Sequence, residues 1–372
     1  MQIEPRIADL VRAGLRRVFS HADPVLLGLI LALLALSTLT VASATSGAYL
    51  ARHLTNMSVA LVAMLLLSHV PPQVLIRFAA PLYILGLLLL LGVAAAGDVV
   101  NGSRRWLNLG VTSIQPSELM RLAVPMAMAA YLHYRQEHLH NRHFALAGLL
   151  LILPVALILR QPDLGTSLLI LASGFFVLFL AGLAWRVMAG LALLLGAIVP
   201  LAWMFFLHDY QKQRVLTLFD PTSDPLGAGY HIIQSTIAIG SGGLFGKGWG
   251  QGTQARLDFL PEGHTDFVFA VYSEEFGLLG NLVLLAIYAV MVARGLTLSY
   301  NASGLFGRLL CGAISLTFFT YALVNMGMVS GLLPVVGVPL PLVSYGGTSM
   351  VTVLLGFGIL MSVASNKSLV KT

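Results

Sequence analysis

Ten times along its 372 residues this chain turns apolar for the length of a membrane-crossing helix. Runs of ~18 or more such residues suffice to cross a hydrocarbon core of ~30 Å. The ten segments lie at approximately 24–44, 53–70, 79–97, 116–134, 144–160, 165–182, 187–207, 267–293, 306–330 and 342–364. A β-barrel would require short strands alternating apolar with polar residues, whereas these segments are continuous Leu, Ala, Val and Gly. The expected fold is therefore all-α, a polytopic integral membrane helical bundle of about ten transmembrane helices. A large extracytoplasmic loop, about 208–266, separates the seventh from the eighth. No internal repeat or linker marks a second domain, so residues 1–372 are read as one membrane domain. The fifth and sixth segments are short and joined by RQPDLG, which predicts a tight outward hairpin.

Charge orients the bundle. With the N-terminus inside, the cytoplasmic segments carry Arg6, Arg12, Arg16, Arg17, Arg77, Arg135, Arg142, Arg186, Arg294, Arg308, Lys367 and Lys371. That is twelve of the 21 basic residues, nearly all in short loops. Of 15 acids only Glu4, Asp9, Asp23 and Glu137 fall inside, leaving eleven at the outer ends. Orientation alone does not need an outer face rich in both signs, so a polar site is expected there. The net charge of +6 is read as cytoplasmic-face bias, and no basic and aromatic stripe of the nucleic-acid kind is present. The single cysteine, Cys311, excludes disulfides within the chain. The charged lead-in before residue 24 precedes a full-length span and no convincing small-residue cleavage site, and is not read as a cleaved signal peptide.

A long polar stretch runs from His208 to Phe267, where Lys212, Arg214, Asp220, Asp224, Lys247, Arg256, Asp258, Glu262 and Asp266 lie in a chain only 10% charged. HDYQKQRVLTLFDP reads as an amphipathic helix at the interface. GSGGLFGKGWG can cradle phosphate oxygens beside Lys247, or can simply let a compact loop re-enter the bundle. It lacks the spacing of a Walker loop. In FLPEGHTDFVFAVYSEEFG, Thr265 and Asp266 stand where the loop becomes an apolar helix. Either one caps that helix, or Asp266 is a boundary carboxylate able to act as a general base. Desolvation would lift its pKa from about 3.9, and nearby Arg or Lys would lower it again. Glu274 and Glu275 are read as holding the bundle together.

Three further outer segments carry candidates. NGSRRWLNLGVTSIQPSELMR brings Arg104, Arg105 and Trp106 to the interface, then Glu118 and Arg121 on one helical face. These are interfacial anchors and an ion pair, or a phosphate-gathering group. The hairpin RQPDLGTS places Arg160, Gln161 and Asp163 at the outer boundary, where Asp163 can cap the sixth helix. The proline-rich GLLPVVGVPLPLVSYGGTS can run at membrane depth only where protein or water shields its backbone, and is expected to line the same cavity. His231 and His264 have no partner at ligand spacing, so zinc is not expected.

These stretches, collinear over nearly the whole chain, resemble the SEDS family of cell-wall polymerases. The carriers are RRWLNLG with QPSE, QPDLGTS, HDYQKQRV with DPLGAGYHIIQS, IAIGSGGLFGKG, FLPEGHTDFVFAV with EEFG, and GMVSGLLPVVGVPLPLVSYGG. HDYQKQRV, GAGYHIIQS and the last stretch resemble the elongation branch in particular. A departure is Arg121, where members often place Lys. The resemblance implies a peptidoglycan glycosyltransferase that polymerises lipid II on the outer face of the cytoplasmic (inner) membrane. It also implies a class B penicillin-binding protein as partner. The family's catalytic aspartate corresponds to Asp266, and its outer-cavity polar residues to Glu118, Arg121 and Asp163. The chemistry needs a base for the acceptor hydroxyl, for which Asp266 is the candidate. It also needs cations for the departing pyrophosphate, for which Arg105, Arg121, Arg160, Lys212, Arg214 and Lys247 are candidates. A divalent cation, Mg or Mn, could share that role, although no DxD pair appears. Two rivals stay open: a lipid II flippase, which needs polar groups through the midplane, and a non-catalytic scaffold for the penicillin-binding protein.

Overall fold

The computed structural model describes residues 20–100, 103–108, 113–161, 163–205, 209–224, 227–257, 259–260 and 262–366. The N-terminal lead-in, His208, Asp258, Lys367 and Lys371 lie outside these. Ten long helices form the bundle among the described residues: α1 (Pro24–Ala44), α2 (Leu50–Ser68), α3 (Pro72–Ala96), α4 (Pro116–His133) and α5 (Asn141–Leu159), then α6 (Leu164–Leu180), α7 (Trp185–Phe205), α11 (Val268–Tyr300), α12 (Leu305–Val329) and α13 (Gly347–Ser365). Eight are long and apolar enough to cross a membrane. The others are α6, which is short, and α4, which carries Glu118 and Arg121 in its first two turns. The short α5–α6 connection keeps them antiparallel neighbours, and the hairpin expected from RQPDLG is present.

Caps and prolines set where the helices start. Asp23 caps α1, accepting the Leu26 amide at 3.0 Å, and Pro24 supplies a preset first residue. Arg294 of α11 pairs with the same carboxylate through Nη2 at 2.6 Å and Nε at 3.2 Å. Burial raises the Asp23 pKa, but Arg294 and the Leu26 amide outweigh it and hold the carboxyl below its usual range. Pro72 and Pro116 open α3 and α4 in the same way, so α3 begins seven residues before the apolar run predicts. α13 starts at Gly347, five residues late, because Pro339 and Pro341 keep the preceding strap extended or turned.

One departure from the all-helical expectation lies at one end of the bundle. Between α3 and α4 the chain forms short antiparallel strands, β1 (Asp98–Val100), β2 (Ser103–Asn108) and β3 (Ser113–Ile114), with β2 in the middle. Pairing there satisfies backbone that has left the helical ladder. The polar segment after α7 folds into α8 (Asp209–Phe219), α9 (Ala228–Ser241) and the single turn α10 (Thr253–Arg256). The helix expected in HDYQKQRVLTLFDP is α8.

The glycine-rich run solves a problem inside α11. This helix breaks at Gly277, whose φ of 65° and ψ of −161° are not helical. A break at membrane depth strands amides and carbonyls that lipid cannot satisfy. The loop supplies the partners: Leu278 N donates to Gly243 O at 2.9 Å and Leu279 N to Leu244 O at 3.1 Å. In return Lys247 N donates to Glu274 O and Gly248 N to Glu275 O, both at 3.0 Å. The approach is so close that a Cβ on Gly242 or Gly246 would collide with the carbonyls of Ser273 and Glu275.

Candidate active site

Asp266 lies in the turn that leads into α11, held there by backbone. Thr265 N and Phe267 N both donate to Glu262 O, at 3.1 and 3.2 Å, and Thr265 Oγ1 donates to Glu262 Oε2 at 2.6 Å. The N-cap of α11 is Phe267, with no side-chain cap bond, so Asp266 is not spent on capping. Its half-buried carboxylate accepts no hydrogen bond from the described residues. Burial, reinforced by the charge of Glu262 and only partly offset by Arg214, pushes its pKa up to about 6. A base with a pKa near the working pH combines availability with proton affinity. On one side His231 of α9 stacks on Phe267, ring centroids 5.3 Å apart, and burial holds its imidazole below the usual range. On another, Tyr49, His264 and Tyr345 form an aromatic group, Tyr49 and His264 being nearly parallel at 5.2 Å.

The strap from Gly331 to Gly346 closes the site from the far side, as its prolines suggest. Gly337 has φ of +71°, and a Cβ there would lie 3.4 Å from Asp266 Oδ2. The residues just before it, Pro334, Val335 and Val336, line a cleft of about 70 Å³ together with Arg105, Asp163, Gln211 and Arg214. That cleft joins β2, the start of α6, α8 and the strap. Asp163 does two things there: Oδ1 accepts the Thr166 amide at 3.1 Å as the cap of α6, and Oδ2 faces Arg105 Nε at 3.7 Å. The capping expected of Asp163 is present, and its second oxygen is left facing Arg105 on the cleft.

Behind the cleft stand Glu118 and Arg121, both nearly buried and paired at 2.7 Å. Arg121 lies 4.5 Å over the Tyr321 ring and reaches Ser349 Oγ at 3.5 Å. Glu118 feels the charge of Asp163, and Tyr321 that of all three, so these four groups form one electrostatic unit. Beneath Arg121 an apolar pocket opens between α4, α12 and α13, lined among others by Pro125, Phe318, Tyr321 and Phe357.

Not every candidate joins this arrangement. Arg160 is exposed at the end of α5, and Lys212 of α8 lies next to the cleft residue Gln211 without lining the cleft. Lys247 is placed elsewhere: its Nζ lies 2.6 Å from Glu274 Oε1 and 2.9 Å from Thr253 Oγ1. Glu274 is fully buried, and an unpaired carboxylate there would be costly, so Lys247 is its counter-ion. The phosphate-cradle reading of the glycine run is corrected on the same ground, because two of its amides serve α11 carbonyls. Sequence reading missed Asn325, wholly buried in α12 and bonded to Asp266 O at 2.8 Å. The available signal was an asparagine in the middle of an apolar span, which is expensive unless partnered.

A multi-pass helical membrane protein with a boundary carboxylate, a buried ion pair and an arginine-lined cleft at one end is the class these features define. The family model FTSW_RODA_SPOVE, described as "Cell cycle protein", matches residues 17–369, and the chain belongs to that family. It is 48% identical over 351 residues to the peptidoglycan glycosyltransferase MrdB of Escherichia coli, covering 94% of this chain and 95% of that one. Its fold matches a chain of a structure titled "Structural coordination of polymerization and crosslinking by a peptidoglycan synthase complex". That match has a TM-score of 0.81 and 36% identity, covering 93% of this chain and 98% of the other. The crystal structure of the rod shape determining protein RodA of Thermus thermophilus matches with a TM-score of 0.70 and 32% identity, covering 93% and 97%.

Proposed function

We propose that this protein is a peptidoglycan glycosyltransferase that polymerises lipid II into glycan strands during cell elongation. Asp266 takes the proton of the acceptor sugar hydroxyl, which attacks the anomeric carbon as the lipid pyrophosphate leaves. Its unshared carboxylate, with a pKa pushed up to about 6, is the observation that carries this reading. Arg105 and Arg214, both on the cleft, stabilise the leaving pyrophosphate, with Arg121 behind them. Glu118 holds the Arg121 guanidinium and Asp163 faces that of Arg105. Long lipid chains enter sideways between spans, which accounts for a site at the membrane boundary.

The working face is outside the cytoplasmic membrane and both termini are inside, as the charge bias indicates. The partner is a class B penicillin-binding protein that crosslinks the product, a reading supported by the likeness to a chain from a peptidoglycan synthase complex. Among the described residues no group of three His, Cys, Asp or Glu side chains is gathered, so a Mg or Mn ion would arrive on the pyrophosphate. The flippase alternative wants polar groups through the midplane. Here the buried acid–base pairs Glu118–Arg121 and Glu274–Lys247 lie near the starts of α4 and α11.

The purified protein given lipid II in detergent is expected to make glycan strands, read on a gel, with no membrane to cross. Product seen only when a second polymerase is added would favour the scaffold. Arg105→Ala is expected to lower kcat/KM roughly 10²-fold, the usual scale for one lost transition-state donor. A change under threefold would remove Arg105 from the pyrophosphate site. Arg214→Ala removes a charge that lowers the Asp266 pKa. The acidic limb of its pH–rate profile is expected to move to higher pH than in the parent. A limb unmoved or moved downward would break the link between the two residues.

A further inference from the structure

Three consecutive carbonyls of the turn carrying Asp266 are held by donors from outside that turn. Tyr345 N donates to His264 O at 2.8 Å, Ser344 Oγ to Thr265 O at 2.6 Å, and Asn325 Nδ2 to Asp266 O at 2.8 Å. The donors are themselves fixed. Asn325 Nδ2 also reaches Val338 O at 2.6 Å, and Leu340 N donates into Ser344 Oγ at 2.7 Å. Asn325 is fully buried and Ser344 only 4% exposed, so neither has water to turn to. Tyr288 adds a brace from α11, donating its hydroxyl to Pro341 O at 2.5 Å.

We propose that Asn325 and Ser344 are positioning residues for Asp266, a three-point clamp completed by the Tyr345 amide. The proposal rests on Asp266 being the base. Neither side chain lines the cleft; each donates to main chain. That is where control lies here, because the Asp266 carboxylate accepts no hydrogen bond from the described residues to aim it. Its direction follows from where the backbone places its Cα–Cβ bond, and three anchored carbonyls fix that bond. The same bonds hold the strap against the turn, where a Cβ on Gly337 would lie 3.4 Å from Asp266 Oδ2. An asparagine serves this purpose better than a serine or leucine would, since one amide nitrogen can donate to two segments of the chain at once.

The test uses the purified full chain with lipid II, comparing Asn325→Ala and Ser344→Ala with the parent for kcat, KM and thermal melting. A displacement of about 1 Å of a catalytic group costs on the order of 10²-fold in rate. Asn325→Ala, which loses a doubly used donor, is expected to drop kcat about that much, and Ser344→Ala about tenfold. KM should stay within twofold in both, counted per folded molecule. A kcat within twofold of the parent in the folded variants overturns the clamp, as does a loss carried by KM. If Asn325→Ala does not fold, Ser344→Ala decides alone. Asp266→Asn measured alongside separates the two ideas. Inactive Asp266→Asn with parent-like clamp variants removes the clamp only, whereas active Asp266→Asn removes the base and the clamp with it.

Discussion

Asp266→Asn is expected to abolish glycan polymerisation and, at pH 7, to raise the melting temperature of the purified protein. The two outcomes share one cause. In the folded chain the carboxyl has a pKa of about 6 against an ordinary value of 3.8, so the native state binds this proton more tightly than the unfolded state. The stabilisation from that proton is complete below the unfolded value and is lost as pH rises through about 6. At pH 7 the ionised group therefore costs stability on the order of 2–3 kcal/mol, from about two pH units at 1.36 kcal/mol each. The neutral amide of Asn removes that cost while keeping the shape. It cannot take a proton, and loss of a general base removes ~10²–10⁴-fold of rate. Melting curves at pH 7 and at pH 4, with polymer assays at pH 7, check both halves. The gain in stability should vanish at pH 4. An inactive variant that melts lower at pH 7 would make Asp266 a structural residue.

Gly277→Ala is expected to be the most destabilising small substitution in the bundle. The position combines a φ of +65° with backbone on every side: a Cβ would collide with Gly246 N and approach Phe245 C at 2.8 Å. A positive φ with extended ψ, a combination essentially confined to glycine, alone costs an L-residue about 1–3 kcal/mol. Displacing the loop would also strand the four backbone bonds that mend the break in α11 and pull Lys247 from buried Glu274. Leaving one buried charge unpaired costs about 3–5 kcal/mol. Together with the stranded backbone bonds, this loss of about 4–8 kcal/mol takes up most of a reserve of about 5–15 kcal/mol, so little folded protein should be recovered. Gly148→Ala in α5 is the control. A Cβ there meets nothing within 4 Å, and the helix should gain roughly 0.5–1 kcal/mol. Equal melting temperatures for the two variants would mean that the loop does not mend the helix.

Much of this was readable in the amino-acid order because hydropathy and punctuation act locally. Spans, hairpin and amphipathic α8 follow from apolar length, from Pro and Gly, and from a 3.6-residue period. Asp266 was legible because a lone acid where polar loop meets apolar helix is rare. Other features depend on pairs that sequence does not join. Lys247 looks like a phosphate ligand until Glu274, 27 residues on, is found buried against it. The glycine run looks like an anion nest until the break at Gly277 exposes carbonyls for its amides. Asn325 is separated by 59 residues from the carbonyl it holds, so only the folded chain reveals the clamp.

If a carboxylate whose ionisation is delayed by burial drives the reaction, polymerisation by the unaltered protein must carry that group's titration in its pH dependence. The initial rate from lipid II at limiting concentration should fall tenfold per pH unit below an inflection near 6, where Asp266 takes up its proton. A rate that stays flat down to pH 4.5, in protein still folded at that pH, would contradict it.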